Sequence, residues 1–133
     1  MRHLILIFGD QLDHRASVFD DFDPAQDAVW MAEVQEEATY VWSHKLRLAY
    51  FFAAMRHFRE ELRSRGLIVH YHALAPDAAT DRGRTFAEVL HQDIQRLQPQ
   101  KVRMVRPGDY RVFTSIQRTT EILEIPLEML PDN

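Results

Sequence analysis

Cysteine is absent from this 133-residue chain. Its side chains can therefore build no disulfide, thiolate nucleophile or iron–sulfur cluster. That absence agrees with a cytoplasmic origin. Glycine is scarce and scattered. Gly9, Gly66, Gly83 and Gly108 stand alone, so the chain carries neither a phosphate-cradling loop nor a dinucleotide fingerprint. No Gly-x-Ser-x-Gly elbow occurs, and Ser17, Ser43, Ser64 and Ser115 have no convincing base partner. Long apolar runs are missing too. Leu4–Phe8 is too short for a signal peptide or a membrane span and leads straight into Gly9-Asp10.

What is present suits one globular domain over residues 1–133. Hydrophobic residues make up 46% and charged residues 27%, enough for a core without staples. Net charge is −4, but it is unevenly spread. Residues 1–40 hold two arginines against nine acids, a balance of −7, while residues 41–133 come to +3. An acidic first third is a poor match for a phosphate backbone. Most of the acids from Asp13 to Asp27 read as a solvated loop.

Strand and helix signals alternate along the chain. Residues 3–8 form a short apolar run that reads as a strand buried on both faces. A second strand is expected over Asp27–Glu33. A long helix spans Val41–Arg65, with Leu48, Phe51, Phe52, Met55, Phe58 and Leu62 on one face and Arg56, Arg59, Glu60 and Arg63 on the other. Gly66 is placed to end it in the left-handed conformation. Leu67–Ala73 reads as strand three. Thr85 and Glu88 have capping-box spacing for a helix that ends near Gln98-Pro99. Lys101–Val105 is strand four, 111–123 a further helix, and Ile125–Leu130 strand five. This alternation predicts an α/β fold: a three-layer, doubly wound parallel sheet of five strands in the order 3-2-1-4-5. Such sheets bind ligands outside the carboxyl ends of their strands, where strand order reverses. Gly9-Asp10-Gln11, Glu33 and Pro107-Gly108-Asp109-Tyr110-Arg111 all fall on that edge. The chain stops three residues after the last strand, as expected for an excised domain.

Chemistry-bearing residues gather on the same edge. Asp10 and Gln11 bring a carboxylate and a two-way amide, although a plain turn with a helix-capping Asp accounts for them equally well. Glu33, Glu36 and Glu37 precede the long helix, where the dipole favours acids; they could also accept from a polyhydroxylated ligand. Tyr40, Trp42, His44 and Lys45 form an aromatic and cationic cluster able to stack a planar ring, with Trp42 assigned to core packing. His70 and His72 share a strand face but have no visible third ligand, so no metal site is expected. His57 reads as structural.

These residues carry a resemblance. FGDQLD at 8–13, AEVQEEATYVWSHKLRLAYFFAAMRHFREELRSRG at 32–66, VHY at 69–71 and PGDYR at 107–111 resemble the N-terminal domain of the deoxyribodipyrimidine photolyase-related family, the iron–sulfur bacterial cryptochromes and (6-4) photolyases. The resemblance runs essentially the full chain and is most specific at Glu37–Val41, His44-Lys45 and Met55–Phe58. It implies a Rossmann-like domain that holds an antenna chromophore, typically 6,7-dimethyl-8-ribityllumazine. It also implies a missing helical C-terminal domain carrying FAD, a [4Fe-4S] cluster and the damaged-DNA surface. On this reading the parent protein is a DNA photolyase or a blue-light receptor, and the fragment alone is not catalytic. Its partners are the FAD domain and, through that domain only, damaged DNA; no membrane is involved. The cofactor-binding residues implied are Phe8, Gly9, Asp10, Gln11, Glu33, Glu37, Tyr40, His44, Lys45 and Asp109.

Two other readings compete. A freestanding α/β module could hold a flavin, a deazaflavin or a folate in the same crevice. A phosphorylated receiver domain is rejected, because no lysine ends the last strand.

Overall fold

The structure is a computed structural model. It describes residues 1–9, 11–13, 16–34, 45–73 and 85–131, with the side chains of 45–49 excepted. Five strands, β1 (His3–Leu6), β2 (Ala28–Ala32), β3 (Val69–His72), β4 (Lys101–Val105) and β5 (Leu127–Leu130), form one sheet. Every pairing is parallel, and the order is β3-β2-β1-β4-β5. Helices α1 (Lys45–Ser64), α2 (Phe86–Leu97) and α3 (Tyr110–Ile122) cover it, with a short 3-10 turn at Ser17–Phe19. The expected fold and strand order are both found. The strands are shorter than the apolar runs that announce them, although single backbone bonds such as Ile7 N–H to Trp30 O at 3.0 Å prolong the pairing.

Side-chain alternation divides the core in two. Leu4, Leu6, Phe8, Trp30, Val102 and Met104 face one way and pack under Phe86, Val89, Leu90 and Ile94 of α2 and Ile116 of α3. Ile5, Ile7, Val29, Met31 and Val69 face the other way and meet Met55, Phe58 and Leu62 of α1. Successive residues point to opposite faces, so a strand apolar at every position must be covered on both. Each fully buried side chain of this size contributes roughly 1.5–3 kcal/mol.

The helix ends use the chemistry read from sequence. Gly66 has φ 88°. Its N–H reaches Arg63 O at 3.0 Å, and Leu67 N–H reaches Leu62 O at 3.1 Å, while Leu62 and Leu67 pack in the same cluster. This is a Schellman closure. At α2 the Thr85 hydroxyl accepts from Glu88 N–H at 3.1 Å and donates to the Glu88 carboxylate at 3.3 Å. α3 closes without a glycine. Glu124, not glycine, takes the left-handed position at φ 57°, with Ile125 N–H bonded to Thr120 O at 3.0 Å.

Candidate functional site

In the order β3-β2-β1-β4-β5 the sequence direction reverses between β1 and β4. Gln11 spans that reversal. Its amide Nε2 donates to Val105 O at 3.2 Å and to Arg106 O at 3.4 Å, tying the loop after β1 to the end of β4. The tie fixes which way the amide points, because both partners are acceptors. Oε1 is left as an acceptor, buried and without a partner among the described residues. A covered polar atom in that condition calls for a missing donor.

Gly9 lies beside it, and its φ is not left-handed. What requires glycine is packing: a Cβ there would stand 2.2 Å from Phe51 Cζ, the ring that α1 lays against the end of β1. Phe51 is half-buried and tilted against Phe52, with ring centroids 5.9 Å apart. Phe8 is core, 3% exposed, its ring edge-on to Phe86 at 5.2 Å.

Across the reversal, Asp109 caps α3 by accepting from Arg111 N–H at 2.8 Å. Burial raises its pKa, but the Arg111 backbone bond and guanidinium outweigh that and hold it below the usual carboxylate value. Asp109 is therefore ionised at neutral pH. Arg106 lays its guanidinium over the Phe113 ring, 5.6 Å from the centroid. This side of the reversal thus combines two guanidinium groups, one carboxylate and aromatic surface.

Glu33, just past β2, is fully buried. Its carboxylate accepts from Arg56 Nε at 2.6 Å and Nη2 at 2.8 Å, and also from the Tyr71 hydroxyl. Arg59 stacks on the Tyr71 ring at 4.6 Å. Burial and the Glu33 contact raise the Tyr71 pKa, so the phenol stays a donor. Glu33 was expected to face a ligand; its oxygens serve three donors among the described residues.

A model of the family described as deoxyribodipyrimidine photo-lyase-related protein matches residues 5–133. The chain is also 41% identical over 132 residues to a (6-4) photolyase of Agrobacterium fabrum. The chain belongs to the deoxyribodipyrimidine photolyase-related family. That alignment covers 99% of this chain and 25% of the relative, so the chain spans about a quarter of that protein's length.

Of the residues the family resemblance points to, Gly9 and Gln11 come together beside the β1–β4 reversal and Phe8 lies in the core next to them. Asp109 stands at the start of α3, across that reversal. Asp10, Glu37, Tyr40 and His44 lie outside the described residues, as does the Lys45 side chain. Phe51, Arg56 and Tyr71 are not among the site residues expected from sequence. The helical pattern put Phe51 in a generic apolar face and Arg56 on the solvent side. Arg56 is indeed half-exposed, with 48% of its side chain accessible, yet its head turns back to Glu33. The one available signal was Glu33 itself: a carboxylate closing a strand buried on both faces needs a cation nearby. His57 is exposed on α1, 3.3 Å from Glu61. His72 is buried and His70 half-buried on the α2 face of β3.

A groove of about 760 Å³ runs elsewhere, between α2 and α3, lined by Glu88, His91, Tyr110, Arg118 and Ile122 among others. It lies along helix flanks and meets the strand-end edge at Tyr110 and Arg111. Size alone does not make it the site. No helix among the described residues is long and apolar enough to cross a membrane.

Proposed function

We propose that this domain is the light-harvesting part of a photolyase- or cryptochrome-type flavoprotein. It holds a planar antenna chromophore of the ribityllumazine type in the crevice between β1 and β4. The observation that carries this reading is Gln11: a buried amide oxygen with no partner among the described residues, oriented by two carbonyls, at the point where a doubly wound sheet takes its ligand. A lumazine suits that atom, since its imide N–H and ribityl hydroxyls are donors and its ring is flat. Bound there, the chromophore would absorb light and pass excitation to an FAD carried by a helical domain of the longer polypeptide. The protein's own task is physical and not chemical. It holds the ring at fixed orientation, excludes water and pairs the ring's polar edge.

The family supports the reading, and so does the relative's name, (6-4) photolyase. On this reading repair of DNA photoproducts, or blue-light signalling, belongs to the whole flavoprotein, in the cytoplasm. Damaged DNA, FAD and a [4Fe-4S] cluster meet the FAD domain. Asp10, Glu37, Tyr40, His44 and Lys45 are proposed as further walls of the pocket, with Asp109 across the reversal.

The test is titration of the purified domain with 6,7-dimethyl-8-ribityllumazine, followed by ligand fluorescence, beside parallel titrations with FMN, a deazaflavin and a folate. Saturable binding of the lumazine supports the proposal. Tighter binding of one of the others transfers the site to that ligand. Binding of none refutes the antenna reading.

A further inference from the structure

We propose that Glu33, Arg56 and Tyr71 form a positioning clasp, which fixes α1 along the sheet so that Phe51 is seated against Gly9. Its consequence for a ligand rests on the crevice reading above; the clasp itself does not.

The apolar contacts of α1, through Met55, Phe58 and Leu62, are non-directional and leave a helix free to slide by small amounts. The clasp is directional. Arg56 meets the fully buried Glu33 carboxylate with two N–H groups at 2.6 and 2.8 Å, which sets both distance and angle. Tyr71 holds the same carboxylate from β3, and Arg59, three residues further along α1, closes over the Tyr71 ring at 4.6 Å. The helix is thus tied to β2 and β3 together. Replacing such a buried pair with apolar side chains is often neutral or stabilising, so stability alone is a poor account of it. A defined geometry is the better one.

That geometry matters five residues back, about 7.5 Å along the helix axis. There Phe51 lies so close to Gly9 that a single methyl group has no room. The same ring lies beside the loop that carries Gln11. A slide of α1 by a few tenths of an ångström would open or close the β1 side of the crevice.

A double-mutant cycle in the ligand-free domain tests this. Gly9→Ala should destabilise in urea, and Phe51→Ala should relieve that cost, which proves the clash. Arg56→Lys keeps the charge but loses the two-pronged grip. Gly9 and Arg56 share no hydrogen bond or ion pair, so unlinked effects would combine to within about twofold in the unfolding constant. With the clasp loosened, the cost of Gly9→Ala should instead shrink by about tenfold or more. Additivity overturns the proposal.

Should Gly9→Ala fail to fold, the single Arg56→Lys variant decides by NMR. Contacts between the Phe51 ring and the Gly9 α-protons should weaken, and unchanged contacts refute the clasp. A separate titration of Arg56→Lys with the lumazine should show roughly tenfold weaker binding and a shifted emission maximum. If wild type binds no lumazine, the antenna reading fails while the urea cycle still decides the clasp. If wild type binds and Arg56→Lys binds equally with unshifted emission, the clasp does not shape the crevice and that consequence is overturned, while the urea cycle decides the clasp.

Discussion

Gln11→Leu is the sharpest test of the crevice. The wild-type amide donates to Val105 O and Arg106 O, and its Oε1 is buried without a donor among the described residues. A ligand N–H or O–H meeting that oxygen regains what burial cost it, about 1–3 kcal/mol. Leucine has nearly the same volume and no acceptor. The variant should therefore bind 6,7-dimethyl-8-ribityllumazine roughly five- to 150-fold more weakly, at about 1.4 kcal/mol per tenfold. Domain stability should change little. Two hydrogen bonds to carbonyls are lost, one of them long at 3.4 Å, but an unsatisfied buried oxygen goes with them. Gln11→Glu is the complementary change. It keeps an acceptor toward the ligand but sets a second oxygen against two carbonyl oxygens, so it should weaken binding as well and also lower stability. Fluorescence titration of the three proteins, with circular dichroism to check folding, gives the answer. Undiminished affinity in a folded Gln11→Leu domain would show that no ligand donor meets this atom, and the argument from the orphaned oxygen would fail.

Three further outcomes follow from the fold. Trp30 Nε1 donates to the buried Asp93 carboxylate at 2.9 Å, so Trp30→Phe should cost about 1.5–3 kcal/mol, near 5–10 °C in Tm for a domain of this length; a fall below about 2 °C would show the bond to be dispensable. Burial raises the Asp27 pKa, but Arg2 and the backbone N–H groups of Asp23 and His3 outweigh it and leave the group below its ordinary 3.8. Its stabilising contribution is therefore complete above that value and lost as pH falls through the folded pKa, so Asp27→Asn should flatten the acid limb of urea stability; equal slopes below pH ~4 in variant and wild type would contradict the assignment. Glu124→Gly removes left-handed strain at φ 57° on an exposed residue and should stabilise by about 0.5–1 kcal/mol, read as a higher urea midpoint; a lower midpoint would mean that the Glu124 side chain matters more than its backbone.

Much of the fold was legible because its signals are local. The unbroken apolar run from Leu4 to Phe8 reads as a strand covered on both faces, and the two core clusters divide it residue by residue. The glycine at 66 and the Thr85/Glu88 pair mark helix ends through bonds that span five residues or fewer. Parallel strands joined by right-handed helical crossovers then leave few arrangements, and 3-2-1-4-5 is a common one. That order alone brings Gly9, Gln11 and Asp109 to the same edge. Local signals have limits, as α3 shows: it closes on Glu124, a residue with no mark of a left-handed turn. The particular long-range contacts came only with tertiary structure. Gln11 meets a carbonyl 94 residues away, Glu33 an arginine 23 away and Trp30 an aspartate 63 away. No periodicity encodes such pairs, since each depends on where whole elements come to rest. The same holds for Gly9, which sequence reading assigns to a turn. Its missing side chain is instead the space occupied by Phe51, and only the packing of α1 against β1 determines that.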